Sequence, residues 1–263
     1  IAIAIIFLKN QTRPIIKLAE ASEKFGRGED LDEFRPSGAL EIRKAGQEFD
    51  KMRKRIIRHL NQRSEMLSGI SHDLRTPLTR IKLQLAMIKD KNLSKKLSSD
   101  VDDMEKMLNE YLQFASTGAK DKTETFDISE LILKLINNYS NPNIIQNFKE
   151  EIYFNGRKNL IARCINNLIE NSLKYAKKVE ISMEKQKDNL MIMVSDDGPG
   201  VPEKEHENII KPFYKIDKSR SESKSSVGLG LSIASDISRS HGGDIKFAKS
   251  KFGGLEVSIS LPF

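Results

Sequence analysis

One cysteine, four histidines and no apolar run longer than eight residues narrow the chemistry open to this 263-residue chain. The single Cys164 excludes an intramolecular disulfide and a Cys-x-x-Cys metal site, and its apolar surroundings read as helix core. The histidines are scattered, so no zinc-type constellation forms. The longest apolar run, Ile1-Ala2-Ile3-Ala4-Ile5-Ile6-Phe7-Leu8, cannot cross a bilayer, which takes ~20 residues. Few aromatics accompany the basic first quarter, residues 1–63, where 14 Lys/Arg interleave with 9 Asp/Glu. That pattern speaks against direct nucleic-acid binding and fits a segment beside a membrane. No internal repeat is evident.

What is present suggests a helix-rich chain of two or three domains, with 31% charged and 38% hydrophobic residues and a net charge of +7. The chain begins without methionine, on apolar residues followed by Lys9 and Arg13. Residues 1–8 are therefore expected to end a longer transmembrane helix, with cations placing the rest in the cytoplasm. The blander alternative is a short buried strand. Arg13-Pro14 reads as a helix start. Ile15, Leu18, Ser22 and Phe25 then step along one face, and Ile42, Ala45, Phe49, Met52 and Ile56 repeat the pattern from about Glu41. A coiled-coil spacer would show the same periodicity.

The next helix carries Leu67, Ile70, Leu74, Leu78, Ile81, Leu85 and Ile88, with Pro77 expected to bend it. A partner helix shows Leu97, Val101, Met104, Leu108, Tyr111 and Ala115. Two apolar stripes enclose little core, so the hairpin predicts a homodimer forming a four-helix bundle. A polar linker, Ser116–Lys122, then separates it from a mixed α and β region. There, helices fit 128–139 and 158–176, and strands fit Val179/Ile181/Met183 and Leu190/Ile192/Val194. A last hairpin pairs Ile245/Phe247 with Leu255/Val257/Ile259 and turns near Gly253-Gly254.

Four short blocks carry the chemistry. In Ser71-His72-Asp73-Leu74-Arg75-Thr76-Pro77, His72 stands two residues from both Ile70 and Leu74, about 200° around the helix from each, and so faces solvent. A neutral imidazole is a good phosphoryl acceptor. Asp73 can hydrogen-bond one ring nitrogen, and Thr76 shares the face of His72 and can hold a water. In Asn167-Leu168-Ile169-Glu170-Asn171 the two amides share a helix face with Lys174 and Tyr175 just beyond; an amide oxygen suits Mg²⁺, and Lys174 can neutralise phosphate. In Asp196-Asp197-Gly198-Pro199-Gly200 the Asp196 carboxylate can accept from the exocyclic amine of adenine, which guanine lacks at that position. The same residues also make a good loop. Gly228-Leu229-Gly230-Leu231 opens a helix over 229–240, whose N-terminal amides suit a triphosphate. No third glycine or βαβ pattern supports a dinucleotide fold. Phe213 is placed as an aromatic hinge for the polar stretch 215–226, from which Lys215 or Arg220 can reach phosphates.

The blocks resemble, in order, the phosphoacceptor, N, G1 and G2 boxes of the sensor histidine kinases of two-component systems, with Phe213 in the F box. The variant around His72 is similar to EnvZ-type osmosensor kinases. The Glu41-Ile42 pair and Phe49-Asp50-Lys51-Met52 resemble the second helix of a HAMP relay domain. The resemblance implies a multidomain chain: the end of a transmembrane helix (1–8), an all-α HAMP-like domain (9–62), a dimerisation and histidine phosphotransfer hairpin (63–118), and an α/β sandwich ATP-binding domain of Bergerat type (119–263). It implies ATP and Mg²⁺ as cofactors, Asn171 as metal ligand, Asp196 as adenine anchor and His72 as the phosphorylated residue. Asp73 would assist transfer, and Thr76 would help dephosphorylate a response-regulator receiver domain. The segment would lie on the cytoplasmic side of a cell inner membrane. Two departures matter. Ser226 stands where the family usually has Gly, and Asn167 stands where gyrase-like relatives place a water-activating Glu. The alternatives are a nucleotide-binding scaffold or phosphatase without kinase activity, and a chaperone-like ATPase.

Overall fold

The computed structural model describes residues 2–28, 31, 34–88, 90–115, 122–139, 141–216 and 228–263. Three helices precede an α/β lobe: α1 (Ala2–Gly26), α2 (Leu40–Ala86) and α3 (Lys91–Ala115). Pro14 lies inside α1 rather than at its start. The apolar residues before it propagate a helix, and a proline there removes one backbone hydrogen bond without ending it. Among the described residues no helix is long and apolar enough to cross a membrane.

The second relay helix and the His72 helix are one rod of 47 residues, because nothing between Ile56 and Leu67 interrupts the backbone ladder. The division expected between residues 62 and 63 thus falls within a continuous helix, which also runs through Pro77. At the α1–α2 end, the Phe49 ring meets Phe25 and Phe34 edge-on, with centroids 6.2 and 5.4 Å apart.

The α2–α3 hairpin turns at Asp90, whose carboxylate accepts from the N–H groups of Asn92 (3.0 Å) and Leu93 (3.1 Å) and so caps α3. Leu78, Leu85 and Val101 form its small buried cluster. Lys82 bridges to Asp102 (2.7 Å) and Glu105 (2.5 Å) across the pair. Ile70, Leu74, Ile81 and Met104 remain exposed, so the hairpin closes no complete core of its own.

The lobe contains β1 (Glu124–Asp127), α4 (Ile128–Asn138), β2 (Ile144–Asn147), β3 (Tyr153–Gly156), α5 (Lys158–Tyr175), β4 (Val179–Gln186), β5 (Asn189–Asp196), α6 (Gly230–Ser240), β6 (Asp244–Lys249) and β7 (Leu255–Pro262). The main sheet runs β2-β4-β5-β7-β6, with β2 parallel to β4 and the other neighbours antiparallel; β1 and β3 form a separate ribbon. Leu190, Ile192 and Val194 of β5 and Val257, Ile259 and Leu261 of β7 are buried, while the residues between them are more exposed. This period of two covers one sheet face with helices, and the same core takes Ile161, Cys164, Ile165, Leu168 and Ile169 from α5. The result is an α/β sandwich. Cys164 is fully buried, its thiol donates to the Ala234 carbonyl (3.6 Å), and burial pushes its pKa up to about 12.

His241, just after α6, ties the lobe's helices together. Its Nδ1–H donates to the Ile237 carbonyl (2.8 Å), and Nε2 accepts from the backbone N–H of Arg157 at the start of α5 (3.2 Å). Both nitrogens are thus committed in the neutral ring. Burial, with the Arg157 guanidinium adding to it, lowers the pKa to about 4. The unfolded chain takes up this proton near pH 6.5 and the folded lobe only near 4. The contribution to stability is therefore complete above about pH 6.5 and falls as pH drops toward 4, by up to about 3 kcal/mol. Urea unfolding of wild type and His241→Gln between pH 4 and 8 should give a shallower acid loss in the variant. Equal slopes would contradict a buried neutral imidazole.

Candidate active site

His72 projects from the middle of α2, on the side away from the buried leucines Leu67, Leu78 and Leu85 of that helix. Its side chain is 83% exposed, as the helical phase predicts. The Asp73 carboxylate lies 3.4 Å from Nδ1. In the tautomer that carries its proton on Nδ1, that N–H can donate to Asp73 while the Nε2 lone pair is left for a phosphoryl group. The Thr76 hydroxyl donates to the His72 backbone carbonyl (3.2 Å), so its proton is used within the helix while its oxygen stays exposed. Arg75 reaches across the hairpin to Asn109 (3.3 Å).

In the lobe, Asp196 ends β5 and is 4% exposed. Its Oδ1 accepts from the backbone N–H groups of Gly198 (2.9 Å) and Leu255 (3.0 Å), and its Oδ2 accepts from the Ser172 hydroxyl (3.1 Å). One carboxylate thus joins β5, the start of β7 and the end of α5. The β6–β7 turn comes so close that a Cβ at Gly254 would stand 2.3 Å from Asp196 Oδ1 and 2.5 Å from both its carbonyl oxygen and the Gly198 nitrogen. Those backbone atoms cannot yield, so only glycine fits. The neighbouring Asp197 accepts from the N–H groups of Lys178 (2.9 Å) and Lys177 (2.8 Å), and these bonds hold its carboxyl below the usual range. It braces the turn and stands in the solvent.

Asn167 and Asn171 are half-buried on α5, one turn apart. The Asn167 amide donates to the Arg163 carbonyl (2.8 Å), leaving its oxygen toward α6: a Cβ at Gly230 would lie 3.4 Å from Oδ1. The N-terminus of α6 therefore abuts the amide face of α5. Leu229 precedes it without a side-chain cap, and α6 starts at Gly230, one residue later than the sequence predicts. Leu229 is buried and Leu231 half-buried. Gly228 has φ +81°, and its carbonyl accepts from the N–H of Phe213 (3.0 Å). Phe213 itself has φ +66° and is exposed, with its ring stacked on Tyr111 of α3 at 6.4 Å. These two positive-φ residues flank the segment 217–227.

Lys174 extends over the Tyr175 ring, 5.3 Å from its centroid, at the end of α5. Lys215 is half-buried, and Gly198 and Gly200 shape the turn after Asp196. Arg220 and Ser226 lie outside the described residues, as does most of the linker, 116–121. Ser172 had no role in the sequence reading, and Gly254 only that of a hairpin turn. Ser172 borders the amide block but gives no signal by itself, because its partner is 24 residues away.

Comparison with known proteins covers most of the chain. Residues 6–58 match the HAMP domain, 62–120 the His Kinase A (phospho-acceptor) domain, and 156–263 the histidine kinase-, DNA gyrase B- and HSP90-like ATPase. The chain is 34% identical over 256 residues to the sensor histidine kinase GtrS of Pseudomonas aeruginosa, covering 96% of this chain and 53% of that one. It is 29% identical over 269 residues to the sensor histidine kinase CpxA of Escherichia coli, covering 95% and 58%. The chain thus spans a little over half the length of these curated relatives. The fold resembles that of full-length ShkA in complex with AMPPNP, with a TM-score of 0.62 at 21% identity, over 76% of this chain and 46% of that one.

Asp196→Ala would leave two backbone N–H groups and a buried hydroxyl without their acceptor, and should cost the lobe about 1–3 kcal/mol. Denaturant unfolding followed on the lobe checks this. An unchanged midpoint would mean the carboxylate does not organise the turn.

Proposed function

We propose that this chain is the cytoplasmic part of a sensor histidine kinase, in which the α/β lobe binds ATP and phosphorylates His72. The phosphoryl group then passes to an aspartate on a response-regulator receiver domain. The observation that carries this reading is the pairing of an exposed imidazole, in the phospho-acceptor match, with the buried Asp196 turn and the Asn167–Gly230 approach of α5 and α6 in the ATPase match.

In this reading Asp196 accepts from the adenine amine at its open carboxylate position. Gly198 and Gly200 let the backbone pass close to the base, with Tyr175 alongside. Lys174, Lys215 and the amides of Gly228, Leu229, Gly230 and Leu231 face the phosphates, and Phe213 is tied to this loop by its N–H bond to the Gly228 carbonyl. Hard oxygen donors suit Mg²⁺, and the Asn171 amide oxygen, with Asn167 one turn before it, is of that kind. Bound there, the ion would offset charge on the phosphates.

Transfer forms an Nε2–P bond on His72 as the bond between the γ-phosphorus and the bridging oxygen breaks, and ADP leaves. Asp73 keeps the Nδ1 proton, so Nε2 attacks as a neutral lone pair. The loose transition state leaves the protein mainly positioning and electrostatic work. Asn167 in place of a carboxylate provides no base for water, which favours transfer over hydrolysis. The exposed stripe through Ile70, Leu74 and Ile81 supports a homodimer closed as a four-helix bundle. Thr76, one turn from His72, is the candidate for positioning water when the regulator is dephosphorylated. The apolar residues before Lys9 support attachment to an inner membrane, and the sequence around His72 supports the EnvZ-type variant.

Incubation with γ-labelled Mg·ATP should give acid-labile, alkali-stable label on the wild-type chain and none on His72→Gln. Release of free phosphate with no protein-bound label would instead identify a plain ATPase.

A further inference from the structure

Asp196 is held by more than the turn it begins. A carboxylate has about four acceptor positions. The two on Oδ1 are filled by the N–H groups of Gly198 and Leu255, and one on Oδ2 by the Ser172 hydroxyl. One position is left, on Oδ2. Ser172 is 2% exposed and Asp196 4%, so water competes little for these bonds. The two bonds to Oδ1 fix that oxygen but act on only one side of the group. Rotation about the Cβ–Cγ bond moves both oxygens together, so the Ser172 hydroxyl on Oδ2 adds to the two N–H bonds on Oδ1 in stopping it, and it is the side-chain donor among the three. On the far side, the close approach of Gly254 prevents the carboxylate from shifting as a body.

We infer that Ser172 is a positioning residue for base recognition: it aims the remaining acceptor position of Asp196 at the exocyclic amine of a purine and so sets the selectivity for adenine. This rests on the nucleotide site proposed above. Ser172 donates to the oxygen that must itself accept from the base, so the two donors share Oδ2 at different lone pairs. A base with a carbonyl in place of the amine would bring an acceptor against an acceptor. A carboxylate held on both oxygens resists turning away from that clash, and one that has lost the Ser172 bond on Oδ2 resists it less. Loss of the hydroxyl therefore affects discrimination first, and general nucleotide affinity much less.

The test compares ADP with purine riboside 5′-diphosphate, which lacks only the exocyclic amine and like ADP cannot donate a γ-phosphoryl group. Calorimetric titration of the full chain measures both affinities in wild type and Ser172→Ala. Wild type should prefer ADP by about tenfold or more, the range of a hydrogen bond to a charged group. In Ser172→Ala that preference should shrink several-fold, with affinity for the amine-free analogue within about twofold of wild type. Wild-type discrimination that persists unchanged in Ser172→Ala would overturn the inference alone. An equal fall in both affinities would also overturn it, since that marks a purely structural role. A wild-type chain that binds neither nucleotide, or both alike, would overturn the site reading and the inference with it.

Discussion

The α/β lobe depends, at the end of β5, on one buried carboxylate that gathers donors from three separate elements. Asp196 takes N–H groups from its own turn and from the first residue of β7, and a hydroxyl from the last turn of α5. A buried anion is tolerated only where such bonds replace water. The cost of burial thus becomes a geometric requirement: β5, β7 and α5 must meet at one point. Gly254 follows from that requirement, because the β6–β7 turn has to pass within contact of the carboxylate. The α5–α6 contact at Asn167 and Gly230 then fixes the other end of the cleft relative to the first.

The His72 end has the opposite character. The proposed role of His72 needs exposure, and α2 provides it by turning Leu78 and Leu85 toward Val101 of α3 instead. A long helix is a suitable carrier because its phase fixes the direction of every side chain. The hairpin has too few buried residues to be rigid alone, which is consistent with a bundle formed by two copies. Within one chain the two ends are linked through the Tyr111–Phe213 stack, where the hairpin touches the lobe. Phe213 holds a backbone conformation that non-glycine residues seldom adopt, so this contact and the bond to Gly228 must offset some strain.

Much of the architecture was legible because it rests on local periodicity. The steps of three and four in α2, α3 and α5 and the alternation in β4, β5 and β7 reflect burial of one face, and burial is encoded residue by residue. The exposed position of His72 followed from phase alone. The short strands β1, β2 and β3 were not legible: four residues with one or two buried positions carry no readable alternation. Pro14 misled because a proline permitted in a first turn is also tolerated deeper in a helix when its neighbours propagate it. Asp196 could be picked from its Asp-Asp-Gly-Pro-Gly context. Its partners could not, because Ser172 and Leu255 meet it only through the fold. Histidine 241, likewise, looks like any turn residue until α5 arrives against it.

A structure of the full chain with bound Mg²⁺ and a non-hydrolysable ATP analogue is the most direct test of the account. The account requires the adenine amine within hydrogen-bond distance of Asp196 Oδ2, with Ser172 still donating to that oxygen and the triphosphate at the start of α6. A base seated elsewhere, or an Asp196 carboxylate turned away from the purine, would contradict it.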